Sequence, residues 1–399
     1  MSRLKRILIP AAAVLAGVVV VGYGQLRGES SWLIAGGVCL VAGLAGGAFL
    51  SFRRTVQREA PATGHKPKPI AAPRGDDSDS LVAQMLAQGR YALLLRPQVA
   101  ADLEPHQFES TLEILQTHMA LVPDGTVILG EAEDRDQQQE AGREGWWQRQ
   151  RAVRVGPYFL DRYPITNRQY YEFVASGGYE QITYWDAAIW PAVLDFVDQT
   201  KQPGPRFWTD GYCAPGEEDH PVVGVCWYEA SAFSRWAGKR LPTDAEWVKA
   251  GAWPVKLSET QSSQRRYPWG DTMERAKANL WGSGPGTTVS VNDLADGVSV
   301  GGIYQLIGNV WEWTRSDYVP GCFPPEEFIS ESPLKSLRGG AFDTYFDSQA
   351  TCQFQSGDVQ MARRRNIGFR CALSVSDLML YRESSPKSQN EEVPEEVNA

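Results

Sequence analysis

Few groups in this 399-residue chain could do covalent or metal chemistry: six cysteines and four histidines. His65, His106, His118 and His220 are too scattered for a dedicated metal centre, whose ligands ordinarily recur at short, fixed spacings. Six thiols in a chain of this length are also far too sparse for a disulfide-built scaffold. Asp343, Asp347 and Glu312 are candidate acid–base groups, but nothing in the sequence pairs them. One segment of mixed chemistry stands out: Phe342, Asp343, Thr344, Tyr345, Phe346, Asp347, Ser348 and Gln349. Aromatic rings beside acids suit the recognition of a protein or peptide partner. The equally weighted alternative is that Phe342 and Phe346 point inward and the loop binds nothing.

The elements around that loop follow from patterning. Asn167–Ser176 reads as a helix capped by Thr166, and Trp227–Ala237 as an amphipathic helix with Ala230, Phe233 and Ala237 on one face. A third helix starts at Thr243-Asp244-Ala245-Glu246, the spacing of a capping box. Thr126–Leu129 and Arg154–Phe159 read as short strands between Gly- and Pro-rich loops. Upstream, 81–118 reads as a small helical adaptor, with one helical pattern over Leu81–Leu95 and a second opening at Pro105.

At the N-terminus, spans of about 7–25 and 32–52 are apolar and free of charge apart from the polar turn between them, each long enough to cross a bilayer. Arg3, Lys5 and Arg6 precede them and Arg53, Arg54 and Arg58 follow, so residues 1–58 are expected to form a transmembrane hairpin with both ends, and the large domain, in the cytoplasm. A cleaved signal peptide followed by one anchor is the alternative. Residues 59–80 are expected to be a flexible linker and 374–399 an acidic disordered tail. The net charge of −9 argues against a nucleic-acid footprint.

Between 119 and 373 a series of motifs resembles, in order, the formylglycine-generating enzyme (sulfatase-modifying factor) family. They are Met119-Ala-Leu-Val-Pro-Asp-Gly-Thr, Tyr163-Pro-Ile-Thr-Asn-Arg-Gln-Tyr, His220-Pro-Val-Val-Gly-Val-Cys-Trp, Gly238-Lys-Arg-Leu-Pro-Thr-Asp-Ala-Glu-Trp, Tyr267-Pro-Trp-Gly-Asp and Ala278-Asn-Leu-Trp. Gly308-Asn-Val-Trp-Glu-Trp, Leu337-Arg-Gly-Gly and Asn366-Ile-Gly-Phe-Arg complete the series. The resemblance implies an irregular α+β domain, a variant of the C-type lectin fold. Trp247, Trp269, Trp311 and Trp313 are expected to be buried scaffold, Gly339, Gly340 and Gly368 to sit at sharp turns or close approaches, and Arg240 and Arg370 to be internal donors.

The resemblance also implies where chemistry would sit. Members that make formylglycine hold Cu(I) between two cysteines, six and eleven residues after the Arg of Arg-Gly-Gly; here those positions are Thr344 and Gln349, and Ala341 replaces a Ser. Cys352 is the only thiol between Arg338 and Arg370 and is expected to fill a core position, so copper is not expected. The iron-dependent sulfur–carbon branch of the family relies on a His cluster that this sequence lacks. Calcium is left open at Asn279 and Leu280, and at Gln305, Gly308, Val310 and Glu312. The reading is a membrane-anchored, non-catalytic module that binds a protein or peptide through the 342–349 loop. The alternatives are a formylglycine-generating oxidase with a divergent site and an unrecognised acid–base enzyme.

Overall fold

Thr166 and Thr243 open helices in the way their spacing suggests. Each side-chain oxygen accepts the N–H three residues on, and Gln169 and Glu246 reach back to the N–H groups of Thr166 and Thr243. Two backbone donors that the helix start would leave unpaired are thus satisfied at each site. These are α5 (Asn167–Ala175) and α8 (Asp244–Ala252), with α7 (Trp227–Trp236) between them in sequence, Cys226 before it and Glu229 closing its first turn. A computed structural model of the chain describes residues 66, 78–130, 151–256, 262–318 and 334–381. The two apolar spans, most of the linker and the tail beyond Tyr381 lie outside the described residues. Among the described residues no helix is long and apolar enough to cross a membrane.

The architecture is α+β. One sheet runs β1 (Met119–Val122), β4 (Tyr158–Asp161), β11 (Ala372–Ser374), all antiparallel, so the two ends of the domain meet in one sheet. A second has the order β10 (Ile367–Phe369), β7 (Trp311–Asp317), β8 (Leu334–Arg338), β9 (Ser356–Val359), with β10 parallel to β7. β2 (Gly125–Leu129) pairs with β3 (Arg151–Val155), and the two-residue strands β5 (Val255–Lys256) and β6 (Ser262–Ser263) pair with each other. The expected strand Arg154–Phe159 is therefore two strands: Gly156 and Pro157 break it, and its halves join different sheets.

Three apolar clusters fill the domain. Tyr170, Phe173, Phe233, Trp236, Trp313 and Phe369 form an aromatic one between α5, α7 and the second sheet. Trp247 and Val248 of α8 pack with Val127, Leu306 and Cys352 in another. In the third, α1 (Ser78–Ala87), α2 (Tyr91–Leu94), α3 (Pro97–Ala100) and α4 (Pro105–His118) pack through Tyr91, Leu95, Phe108 and Leu115 onto Met119, Phe159 and Leu373.

That third cluster alters three sequence expectations. The helical pattern over Leu81–Leu95 is interrupted at Gly89, whose φ of +74° is a left-handed turn, and Ser78–Ser80 belong to α1, not to the linker. The adaptor is not set apart from the domain. Arg90 and Arg96 donate to the carbonyls of Trp236 and Gly238 at 3.1 and 2.9 Å, supplying cations to the C-terminal end of α7. Nor does structure end at Leu373, because Met379 N–H bonds to Leu95 C=O and Leu378–Leu380 cover the same helices.

Four tryptophans were expected to be scaffold; Trp247 and Trp313 are fully buried, whereas Trp269 and Trp311 are half-buried. Arg240 and Arg370 are internal donors as expected. Arg240 holds Glu246 through two hydrogen bonds of 2.8 and 2.6 Å. Arg370, fully buried, grips both oxygens of Glu312 at 2.7–3.0 Å and donates to the carbonyls of Asp161, Arg162 and Tyr304. Trp247 Nε1 donates to the same carboxylate at 2.8 Å.

Removing one partner of a buried pair strands the other charge. Arg370→Met is expected to destabilise the protein by about 3–5 kcal/mol, and Glu312→Gln combined with Arg370→Met to recover part of that loss. Thermal or urea unfolding of the three proteins decides this, and a parent-like midpoint for Arg370→Met would refute it. A second expectation concerns acid. Burial alone would raise the Glu246 carboxyl, but the Arg240 hydrogen bonds and charge, with the Thr243 N–H, outweigh it and hold it below its ordinary 4.5. A carboxyl depressed in the folded state adds stability that is complete above 4.5 and disappears as pH falls through its folded value. The stability gap between parent and Glu246→Gln should therefore be widest near neutrality and shrink in acid; a gap independent of pH would refute it.

Candidate functional site

The loop that follows β8 is held from behind before it presents anything. Arg338, at the end of β8, is buried and donates to Asp244 at 2.9 Å and to the carbonyls of Gln353 and Phe354 at 2.8 and 3.1 Å, so it clamps the far end of the loop. Gly339 has φ +101°, and a Cβ there would stand 2.5 Å from Leu306 C=O. Only glycine permits this approach. Ala341 and Thr344 then close a turn on each other: Ala341 N–H donates to Thr344 Oγ1 at 2.8 Å, and Thr344 N–H to Ala341 C=O at 2.9 Å. Phe342 N–H is tied to Asn309 C=O and Thr344 C=O to Trp281 N–H.

Beyond that turn the loop opens outward. Tyr345 is 62% exposed and Phe346 60%, and Trp281, from the facing loop, is 55% exposed. The Tyr345 ring lies 6.4 Å from Trp281 and 5.1 Å, edge-on, from Phe346. Asp343 accepts both of its hydrogen bonds from Asn366 Nδ2, at 3.1 and 3.0 Å, and Asp347 pairs with Arg275. Phe342 and Gln349 are half-buried. Of the two phenylalanines weighed as inward-pointing, Phe346 faces solvent and Phe342 is intermediate. Sequence reading did not select Trp281 as a site residue. The stretch Gly-Ser-Gly-Pro-Gly after it, with no apolar pattern to bury a ring, was the available signal. Trp311 borders the same face through its N–H to Asn366 C=O at 2.8 Å and its ring 6.0 Å from Phe354.

The residues do not fit copper. Thr344 is buried with its hydroxyl committed to the Ala341 turn, and Gln349 offers an amide, so neither position supplies a soft ligand. Cys352 is fully buried against Gly251 and Leu306, and burial pushes its thiol well up, away from the thiolate a metal needs. The calcium positions do not fit their ion either. Glu312 sends its carboxylate to Arg370 and Trp247. Gln305 donates to Ser290 C=O and Asp293 C=O while its oxygen accepts from Asn309 Nδ2, and Asn279 Nδ2 donates to Asn309 Oδ1 and Thr287 C=O. Gly308 C=O accepts from Val310 N–H, and Leu280 C=O accepts from Ser283 N–H and Ser283 Oγ. An amide network thus knits these segments together. Asn279 Oδ1 is a buried acceptor without a partner, but one orphan oxygen is far from a calcium shell of about 6–8 oxygens.

The acid–base candidates are similarly dispersed. Asp343, Asp347 and Glu312 each face a different partner, Asn366, Arg275 and Arg370. No two of them share a proton or a common site.

Comparison with known proteins agrees with the motifs. Residues 105–375 match the Sulfatase-modifying factor enzyme 1-like domain. A hercynine oxygenase of Mycolicibacterium thermoresistibile is 33% identical over 242 residues, covering 56% of this chain and 52% of that protein. The formylglycine-generating enzyme of Thermomonospora curvata is 32% identical over 302 residues, 64% of this chain and 92% of its own. The mouse protein named inactive C-alpha-formylglycine-generating enzyme 2 is 31% identical over 258 residues, 56% of this chain and 78% of its own. The chain spans about half the length of several of the curated relatives it matches. The match begins at Pro105, the first residue of α4, and ends at Val375. The chain belongs to the sulfatase-modifying factor, or formylglycine-generating enzyme, family.

Proposed function

We propose that this domain is a non-catalytic binding module for a protein or peptide partner, membrane-anchored through its N-terminal apolar spans. The observation that carries the reading is the pairing of two facts in one loop. Thr344, where an active relative is implied to hold a thiolate, spends its hydroxyl on the turn at Ala341, and the residues immediately after it expose two rings beside Trp281. Exposed aromatics grouped on a rigidly held loop suit binding, since they bring large contact area at little cost in side-chain entropy. The mouse relative whose name calls it inactive offers a parallel within the family.

Two experiments separate this reading from a divergent oxidase. The full chain, given a Cys-x-Pro-x-Arg peptide with Cu(I) and dioxygen, is expected to form no aldehyde above the enzyme-free control; mass-spectrometric detection of formylglycine would overturn the non-catalytic half. Tyr345→Ala combined with Phe346→Ala, both at exposed positions and so expected to change stability by no more than about 0.5 kcal/mol each, should weaken peptide or protein capture at least tenfold. Capture unchanged by the double variant would remove this face from the function.

A further inference from the structure

Three consecutive arginines meet three different fates beside the aromatic face. Arg363 is half-buried, paired with Glu229 at 2.8 Å and donating to the carbonyls of Gly224 and Val197 at 3.1 and 3.0 Å and to that of Gly204. Arg364 is paired with Asp358. Arg365 is exposed, and its guanidinium lies 4.0 Å from the centroid of the Phe207 ring. Arg206, also exposed, sits 5.8 Å from the same centroid. Neither Arg206 nor Arg365 forms an ion pair with a carboxylate among the described residues.

The platform beneath these two charges is fixed. Phe207 lies so close to Gly224 that a Cβ there would come within 2.6 Å of the ring, and Gly224 is left-handed, with φ +76°. Gly224 C=O accepts from Arg206 N–H at 3.0 Å, and Gly224 N–H donates to Arg364 C=O at 2.8 Å, so both arginine-bearing segments are tied to one residue. Stacking on an aromatic face orders a guanidinium while leaving its N–H fork free for a carboxylate. Arg365 leads directly into Asn366, whose amide holds Asp343 and whose carbonyl accepts from Trp311. The segment that carries Arg365 is therefore joined, at its next residue, to Asp343, two residues before Tyr345 in the loop that exposes Tyr345 and Phe346 beside Trp281. In a chain of net charge −9, two ordered and unneutralised arginines beside an exposed aromatic group run against the overall potential.

Building on the binding reading above, we infer that this face takes an acidic peptide segment: its carboxylates on Arg365 and Arg206, its apolar side chains on Trp281, Tyr345 and Phe346. Asp343 turns both oxygens to Asn366, so the guanidiniums of Arg365 and Arg206 are the charges left for the acidic positions of the partner. An extended peptide advances about 3.3 Å per residue, so a few residues of one segment can meet both the charged and the aromatic end. A guanidinium accepts a carboxylate in a two-pronged fashion, which gives direction as well as attraction.

The test selects peptides from a random displayed library on the full chain and then measures their affinity as free synthetic peptides. Enrichment of Asp or Glu together with large apolar residues is expected, with affinity that falls as salt rises. Arg206→Glu combined with Arg365→Glu should weaken these peptides at least tenfold, while Arg364→Ala leaves them unchanged. Arg206→Gln with Arg365→Gln keeps the methylenes over Phe207 and serves if the reversed variant does not fold. Selected peptides that are basic, scrambled sequences that bind equally well, or affinities unmoved by both double variants would overturn the acidic assignment while leaving a peptide-binding face in place. A library that yields no peptide dependent on Tyr345 and Phe346 would overturn the binding reading, and this inference with it.

Discussion

One fully buried ion pair, Glu312 with Arg370, sets the terms for the rest of the domain. Its ladders are short and most of its backbone is irregular, so many buried carbonyls need donors that no strand supplies. A guanidinium has five N–H groups in a rigid fork. Arg370 spends them on Glu312 and on carbonyls from the end of β4 and from the loop before Gly308, while Trp247 of α8 completes the carboxylate. One side chain thereby joins both larger sheets, a helix and the loop under the candidate site. The same arrangement commits Glu312 to structure: its carboxylate is neutralised by Arg370, accepts from the Trp247 indole and has zero exposure.

The candidate site inherits its rigidity from this arrangement. Asn309 is the next tie, with a side chain bonded to Asn279, Val289 and Gln305 and a carbonyl that receives Phe342 N–H. Arg338 and Asp244 form another, with Thr314, Ser336 and Gln355 sharing the Asp244 carboxylate. None of these residues depends on what occupies 344 or 349. A hydroxyl at 344 accepts the Ala341 N–H and keeps the turn, so the loop can lose the ligand set implied for active relatives without losing its shape.

What was legible in the sequence followed from local rules. The capping spacings at Thr166 and Thr243 act over three residues and the structure bears them out, whereas the breaks at Gly89 and Gly156 lay inside stretches read as continuous. Arg240 and Arg370 could be read as internal donors because a fold rich in loops needs them; the partner of Arg240, Glu246, is six residues away, but Glu312 is 58 residues from Arg370 and could not be read. Tryptophan burial was only half legible. Trp247 and Trp313 lie on the inner faces of a helix and a central strand, whereas Trp269, Trp281 and Trp311 stand in or beside loops, where no periodicity separates an inward ring from an outward one. The run Arg363–Arg365 is the extreme case. Three identical residues become a half-buried tie, a paired surface charge and a stacked, unpaired one, a difference set wholly by what the fold brings opposite each.

The helices before Met119 show the same dependence from the other side. In sequence they look separable, since their apolar faces are short and no motif reaches them. In the structure Arg90 satisfies the last carbonyl of α7 and Arg96 that of Gly238 just beyond it, and Lys239, next in sequence to Gly238, donates to both Tyr91 and Asp161 at 2.8 Å. Burial alone would lower the Lys239 ammonium, but Asp161 beside it wins and raises it, so the charge stays on at the junction. Asp161 in turn accepts Cys371 N–H, one residue from Arg370. The N-terminal helices are thus linked, through Lys239, Asp161 and Cys371, to the segment that carries the central ion pair. The helices before Met119 and the segment around Arg370 thus share one chain of hydrogen bonds and one apolar cluster, so the packing of the first is continuous with that of the second.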